Sequence, residues 1–265
     1  MTMIHKPKHH GDDSGHWVDV EVSPRRVHVV FGGETIADSK RVLLVREALT
    51  VPAYYFPRED VRADLMVPTG HRTLCPYKGN ASYWTVKVGN SVTENAAWSY
   101  LEPPPECAPI QGAMAFVWKM MDSWYEEKEE ILVHPRDPYK RVDVLQSSRH
   151  VRVVVAGETV AESHRPRLLF ETGHPTRYYL PREDVRTDLL EPSSTTSRCP
   201  YKGLASYWSV KVGGKIFKDF VWSYPDPISE CPKVKGLVCF FNERVEGIYV
   251  DGELLPMPKT RWALA

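Results

Sequence analysis

The sequence predicts an all-β protein with a few short helical turns, built from two tandem antiparallel β domains. Three observations lead to this prediction. The chain repeats itself at a fixed spacing, β-branched runs flank glycine pairs, and proline and glycine are abundant. Twenty-two prolines and sixteen glycines among 265 residues suit short strands joined by many turns.

The internal repeat is the clearest of these signals. Cys-Pro-Tyr-Lys-Gly at 75–79 returns at 199–203, and Pro-Arg-Glu-Asp-Val-Arg at 57–62 returns at 181–186, both shifted by 199 − 75 = 124 positions. Over residues 27–117 no gap is needed, and roughly half of the positions are identical, which indicates a duplication.

The duplication divides the chain into two copies of one domain. Pro135 and Pro138 lie between the copies, where they disfavour a helix or a central strand and favour a turn-rich connector. Because this connector is short, we expect the copies to pack together. The predicted division is a disordered tail over 1–16, a first domain over 17–133, a connector over 134–140, a second domain over 141–258 and a tail over 259–265.

Strand periodicity recurs along each copy. In copy one, residues 27–31 and 34–37 flank Gly32-Gly33 and predict a hairpin, and residues 83–88 and 91–94 around Gly89 predict another. A further strand is expected to start at Trp98 after a short break, and one more at 112–118. Proline before residues 58–65 and 106–111 suggests a helical turn or two in each. Copy two repeats these patterns.

Composition limits the class of function. Thirty-four basic residues balance thirty-four acidic ones, so no overall field would gather nucleic acid. No apolar run reaches eighteen residues, so no membrane span is predicted, and the polar start is unlike a signal peptide.

Five cysteines without a C-x-x-C pair disfavour disulfides and structural zinc and favour a reducing compartment, the cytoplasm. Histidines in the first tail, His5, His9 and His10, are expected to be solvated, and no metal or cofactor is expected.

Four sequence segments occur in the same order in both copies, and they resemble the marks of the family called domain of unknown function 427. They are the Tyr-Tyr-x-Pro-Arg-Glu-Asp-Val segment at 54–61, Cys-Pro-Tyr-Lys-Gly at 75–79, Ala-Ser-Tyr-Trp at 81–84 and Trp-Ser-Tyr at 98–100. The resemblance implies tent-like domains in which two antiparallel sheets meet at an angle. Related domains often carry zinc on paired C-x-x-C knuckles, which this chain lacks. The family is sometimes labelled nucleotidyltransferase, an activity that would require magnesium bound by carboxylates. In this sequence Asp60 with Asp64 is the only candidate for such a magnesium site.

The Cys-Pro-Tyr-Lys-Gly segments supply the first candidate site residues. Lys78 and Tyr77 could hold a phosphate or carboxylate, and Cys75 beside the lysine could act as a nucleophile. The alternative is a tight turn with a packed cysteine. In the predicted site, Lys78 and Lys202 are catalytic candidates and Tyr77 and Tyr201 ligand-binding ones.

The Pro-Arg-Glu-Asp segments supply the second set. Arg58 and Arg182 are candidate ligand-binding residues, and Glu59 and Glu183 candidate general acids. The alternative is that the carboxylates cap a helical turn while the arginine pairs locally.

Aromatic side chains supply the third set, since Tyr and Trp combine an apolar body with a hydrogen-bonding tip suited to a pocket wall. Strand alternation places Tyr83 and Trp84 on opposite faces, and we assign Trp84 and Trp208 to the core. His134, beside the connector, could complete a site. The candidates are Tyr83 and Tyr207 for catalysis and Tyr55, Tyr179, Trp98, Trp222 and His134 for ligand binding.

These residues lead to three hypotheses. The first is binding of a small anionic or polar metabolite in aromatic-walled pockets, with cofactor-independent catalysis left open. The second is a non-catalytic protein-interaction module, and the third is a magnesium-dependent nucleotidyltransferase. The sequence does not decide whether the protein is an enzyme, whether both copies function, or what its oligomeric state is.

Overall fold

The computed structural model describes residues 10–11 and 15–263. Its contacts divide the chain into two compact units, Met1–Asp137 and Pro138–Ala265, each holding one sequence copy. Most of the predicted N-terminal tail lies outside the described residues. Of its described part, His10–Gly11 pairs with the strand that begins at Trp17.

Copy one consists of short antiparallel strands and 3-10 turns. Its strands are β1 (His10–Gly11), β2 (Trp17–Val22), β3 (Val27–Phe31), β4 (Glu34–Ser39), β5 (Leu43–Glu47), β6 (Ala53–Tyr55), β7 (Met66–Cys75), β8 (Gly79–Val88), β9 (Ser91–Tyr100), β10 (Met114–Phe116), β11 (Ser123–Glu126) and β12 (Glu129–Glu130). Its 3-10 turns are Arg58–Asp60, Ala63–Leu65, Pro105–Ile110 and Trp118–Met120.

These strands form one large and one small sheet. The order β1-β2-β5-β6 continues into β10-β9-β8-β7, because Phe56 and Met114 exchange backbone hydrogen bonds of 2.7 and 2.8 Å between the two sets. The small sheet has the order β12-β11-β3-β4. Both sheets are antiparallel, as the hairpin patterns predict.

Copy two repeats this arrangement 124 residues later. Its strands are β13 (Val142–Gln146), β14 (Val151–Val155), β15 (Glu158–Ser163), β16 (Arg167–Glu171), β17 (Arg177–Leu180), β18 (Leu190–Cys199), β19 (Gly203–Val212), β20 (Lys215–Ser223), β21 (Val238–Phe240), β22 (Gly247–Val250) and β23 (Glu253–Leu254). Its 3-10 turns are Arg182–Asp184, Thr187–Leu189 and Pro232–Val234. The large sheet runs β13-β16-β17-β21-β20-β19-β18 and the small one β15-β14-β22-β23. The predicted all-β fold class is confirmed.

Two details of the strand prediction are wrong. The expected break before Trp98 is absent, because β9 runs on and absorbs its irregularity as a register shift against β8, with Asn95 at a φ of 53°. The expected strand at 112–118 is only Met114–Phe116, because Trp118 begins a 3-10 turn. Gly32 and Gly33 have φ values of 59° and 78°, as the predicted tight hairpin turn requires.

The edge of each large sheet is interrupted. Strand β7 is the last strand of its sheet in copy one, and its pairing with β8 shifts register between Pro68 and Arg72. Strand β18 occupies the same place in copy two, with a shift between Pro192 and Thr196.

The central strands of each large sheet carry buried side chains on both faces. In copy one, one face packs with the small sheet around Phe56, Trp84 and Trp124. The other face holds Tyr55 and Tyr100, and Ile110 of the 3-10 turn packs on it. Alternation along β6 and β8 therefore sends neighbouring aromatics to opposite faces, and Trp84 belongs to the core as predicted. Within the part of the chain that the structure describes, no helix has the length and apolar character needed to cross a membrane.

Candidate functional site

Copy one contains a cavity of about 440 Å³ that is lined by side chains from both faces of its large sheet. This volume lies within the usual range for small-molecule sites. Five of the predicted site residues line it: Tyr55, Lys78, Tyr83, Trp98 and His134. Further lining residues are Glu47, Ala53, Tyr54, Tyr100, Phe116, Val117, Trp118 and Trp124.

An ion pair forms the charged part of this cavity. The Lys78 ammonium donates to Glu47, and the two side chains are only 8% and 14% exposed. Glu47 ends β5, and Lys78 lies in the turn between β7 and β8. That turn needs Gly79, whose φ is 86° and whose added Cβ would lie 3.3 Å from the Glu102 carbonyl oxygen. The segment therefore both shapes the turn and places the lysine.

A histidine completes the polar cluster. His16 Nε2 lies 3.1 Å from the second carboxylate oxygen of Glu47. Its ring stacks on Tyr77 at a centroid distance of 3.4 Å. Tyr77 therefore supports the cluster through His16 and is absent from the residues that line the cavity.

Tyrosine and tryptophan side chains form the cavity walls. Trp98 Nε1 donates to the Tyr55 hydroxyl over 3.1 Å, and Tyr83 lies directly across from Trp98 in the β8–β9 ladder. Burial raises the pKa of Tyr55, and burial with the nearby Cys75 raises that of Tyr100. Both phenols therefore stay protonated at neutral pH and can donate hydrogen bonds, but they are poorly suited to accept a proton.

The segment at 133–135 also lines the cavity. His134 Nδ1 lies 2.7 Å from the Pro135 carbonyl oxygen, so the imidazole is oriented by its own segment. Val133 has a φ of 74°, a conformation that β-branched residues rarely adopt. Strained backbone of this kind concentrates at ligand sites.

The Pro-Arg-Glu-Asp segments lie elsewhere in both copies. Arg41 donates to Glu59 at 2.6 Å, and the Arg58 guanidinium lies 5.7 Å from the Trp84 ring centroid. In copy two, Arg165 donates to Glu183 at 3.0 Å, and Arg182 lies 5.5 Å from Trp208. These four predicted site residues are therefore not brought together with the lysines. None of the carboxylates caps its turn.

Asp60 and Asp64 do not fit the magnesium site that a nucleotidyltransferase would require. Asp60 accepts hydrogen bonds from Ser39 and Arg41. Both oxygens of Asp64 accept from Arg62, at 2.9 and 2.7 Å. Each carboxylate is thus already matched to a guanidinium. Among the described residues, no group of three or more His, Cys, Asp or Glu side chains could hold a metal ion.

Copy two carries the equivalent polar cluster with one more lysine. Lys202 donates to Glu171 over 2.5 Å, and Lys140, at the position of His16, lies 2.9 Å from the other oxygen. Lys140 also lies 5.0 Å from the Tyr201 ring centroid. Tyr201 therefore packs against Lys140, as Tyr77 packs against His16 in copy one. Burial alone would lower the pKa of Lys202, but Cys199 and Glu171 raise it.

The pKa of Glu171 gives a prediction for acid stability. Burial would raise it, but Lys202 and Lys140 outweigh burial and lower it below the ordinary 4.5. A depressed carboxyl pKa stabilises the fold above the unfolded pKa, and this stabilisation is lost as pH falls through the folded value. We expect the stability of copy two to fall below pH 4.5, and Glu171→Gln to flatten this fall, measured by urea unfolding across pH. Glu191→Gln, which removes an exposed pair with Lys211, should leave the profile unchanged; equal flattening by both would contradict the assignment.

The region of copy two that is equivalent to this cavity is filled by its own side chains. Arg177 replaces Ala53 and Phe241 replaces Val117 at the equivalent positions. The Arg177 guanidinium lies 5.6 Å from the ring centroid of Trp222, and Phe241 packs 4.5 Å from the same ring. Tyr179 accepts from Trp222 over 3.1 Å, and Tyr207 pairs with Ser197 over 2.7 Å. Of the predicted residues of copy two, Tyr179, Tyr207 and Trp222 thus come together, but in a packed core.

Sequence reasoning missed Glu47, Trp118 and Trp124 as lining residues of copy one. Glu47 could have been found, because Glu171 repeats it after a similar apolar run. Trp118 and Trp124 occur only in copy one, so the repeat gave no signal for them.

Comparison with known proteins identifies the family of the chain. No curated protein matches the chain. The profile of one family, described as a domain of unknown function (DUF427), matches residues 19–127 and again residues 143–251. These two matches cover most of the chain, and each contains a lysine–glutamate pair and its tyrosines. The chain therefore belongs to the DUF427 family and carries two tandem copies of its domain.

Proposed function

We propose that this protein binds a small polar or anionic metabolite in the cavity of copy one. The observation that carries the proposal is the buried Lys78–Glu47 pair at an aromatic-walled cavity of about 440 Å³. Small-molecule sites combine mostly apolar walls with a few placed polar groups, and this cavity has that composition.

The ion pair suits an anionic or strongly polar group. An ammonium has three N–H donors, and Glu47 accepts from one of them. A ligand carboxylate or phosphate would accept from Lys78, while Glu47 stays balanced by Lys78 and His16. The protonated hydroxyls of Tyr55 and Tyr100 add donors, which also favours an acceptor-rich ligand.

Ligand-dependent melting tests the proposal. We expect at least one compound in a panel of nucleoside monophosphates and small carboxylates to raise the melting temperature of the full chain. Lys78→Met should weaken binding roughly 10–100-fold, because a hydrogen bond to a charged group contributes about 1.5–3 kcal/mol. Isothermal titration calorimetry with the selected compound measures this loss.

Lys202→Met is the matched control, since it makes the same change in copy two. It should leave the affinity unchanged. Lys78→Met/Glu47→Gln avoids an unpaired buried carboxylate and replaces the single variant if that variant does not fold. If no compound in the panel raises the melting temperature, or if both lysine variants weaken binding equally, the proposal fails.

We also propose the cytoplasm as the location of the protein. All five cysteines are free thiols, and Cys107, Cys231 and Cys239 are buried. Free buried thiols are typical of reducing compartments.

A further inference from the structure

We propose that copy two carries a built-in occupant at the position of the ligand, the Arg177 side chain, and that the chain therefore binds one ligand, in copy one. We further infer that this ligand presents a flat ring to Trp98. The inference rests on the proposed function and adds to it the number of sites and the shape of the ligand.

The size of two side chains distinguishes the copies. Ala53 and Val117 line the cavity in copy one, next to Trp98. Their counterparts, Arg177 and Phe241, are much larger, and both are 7% exposed. Trp222, the counterpart of Trp98, is likewise 7% exposed and packs against both of them. The space beside Trp98 is thus the space that Arg177 and Phe241 fill in copy two.

Arg177 is fixed in this place by a buried carboxylate. It donates two hydrogen bonds to Glu243, of 2.6 and 2.7 Å, and the Glu243 side chain is fully buried. Thr260 donates to the same carboxylate over 2.6 Å. Arg244 donates to the Trp262 carbonyl oxygen over 2.9 Å, which holds the C-terminal segment against the site. A side chain held by so many partners is not displaced by a weakly bound metabolite.

The geometry around Arg177 indicates the shape of the ligand in copy one. Its planar guanidinium lies 5.6, 6.0 and 5.5 Å from the ring centroids of Trp222, Phe241 and Trp262. Flat groups pack favourably on aromatic faces, and rings gain additional energy by stacking or edge contacts. Copy one keeps Trp98 and adds Trp118 and Trp124, which stack on each other at 4.3 Å. An aromatic wall with a polar pair beside it fits a ring that bears an acidic group.

A matched pair of probes tests the shape. Benzoate and cyclohexanecarboxylate carry the same charge and nearly the same volume, but only benzoate is flat. We expect calorimetric titration of the full chain with benzoate to show one site per chain, at least 10-fold tighter than any binding of cyclohexanecarboxylate. Equal affinities would overturn the inference about shape.

Exchange of the distinguishing residues tests the number of sites. Ala53→Arg/Val117→Phe should abolish benzoate binding. Arg177→Ala/Phe241→Val/Glu243→Gln opens copy two without leaving an unpaired carboxylate, and it should raise the stoichiometry from one to two. Circular dichroism checks that each variant is folded. If a variant does not fold, the stoichiometry of the wild type decides the number of sites.

The two proposals fail in different ways. If neither probe nor any compound in the metabolite panel binds, the proposed function fails, and this inference fails with it. If a panel compound binds the wild type with a stoichiometry of two, the inference fails while the proposed function stands. The same holds if Ala53→Arg/Val117→Phe leaves the binding of that compound unchanged.

Discussion

Replacing Arg177 by alanine is expected to lower the free energy of unfolding by about 3–5 kcal/mol, the usual cost of removing one partner of a buried ion pair. The reason is Glu243, whose side chain has no exposure and for which, among the described residues, Thr260 would be the remaining side-chain donor. Most of the cost is the penalty for a buried carboxylate without its counter-charge. Urea unfolding of the full chain, followed by tryptophan fluorescence, measures it.

Arg165→Ala is the matched control in the same copy. Arg165 pairs with Glu183 and Asp184 at 3.0 Å, but its side chain is 56% exposed. Exposed pairs contribute up to about 1 kcal/mol, so this loss should be several-fold smaller. Arg177→Ala/Glu243→Gln should recover part of the loss. If Arg177→Ala cost no more than Arg165→Ala, Arg177 would not be the structural occupant that we describe.

The second large effect is expected at the two lysines. Lys78→Ala should cost about 2–4 kcal/mol, because within the described part of the chain it leaves the largely buried Glu47 with His16 as its remaining side-chain partner. Lys202→Ala should cost less, by about 1 kcal/mol or more, because Glu171 keeps Lys140 at 2.9 Å. An imidazole is a weaker charge partner at neutral pH than an ammonium. Urea unfolding of both variants at pH 7 compares them directly.

Exchange of the extra partner provides the control. His16→Lys should reduce the cost of Lys78→Ala, since it gives copy one the partner that copy two already has. If the two lysine variants lose the same stability, and His16→Lys does not change the loss, then the third residue of each cluster has no energetic role.

The sequence was sufficient for the architecture because the signals that define it are local. Alternating β-branched runs and glycine pairs place the hairpins, and the repeat tests each assignment twice. The errors lie where a long-range contact decides. The strand β9 stays unbroken because β8 supports it through a register shift, and no local pattern shows this.

The candidate site was predictable only in part for the same reason. Lys78, Tyr83 and Trp98 lie in distinctive repeated segments, and strand alternation limits which of them share a face. The partner of Lys78, Glu47, is 31 residues away, and the filling of copy two needs Arg177, Glu243 and the C-terminal Trp262 together. Such combinations depend on tertiary packing, which composition and spacing do not encode in a readable way.

The interrupted edge strands have a consequence for how the chain behaves in a crowded solution. An edge strand with a continuous row of unpaired amides and carbonyls is a template on which other chains assemble into aggregates. Pro68 and Pro192 remove an amide from β7 and β18, and the adjacent register shifts bend the backbone away from a flat ladder. A protein with two unprotected edge strands would offer two places for fibril growth. In this protein β7 and β18 both carry a proline and a register shift.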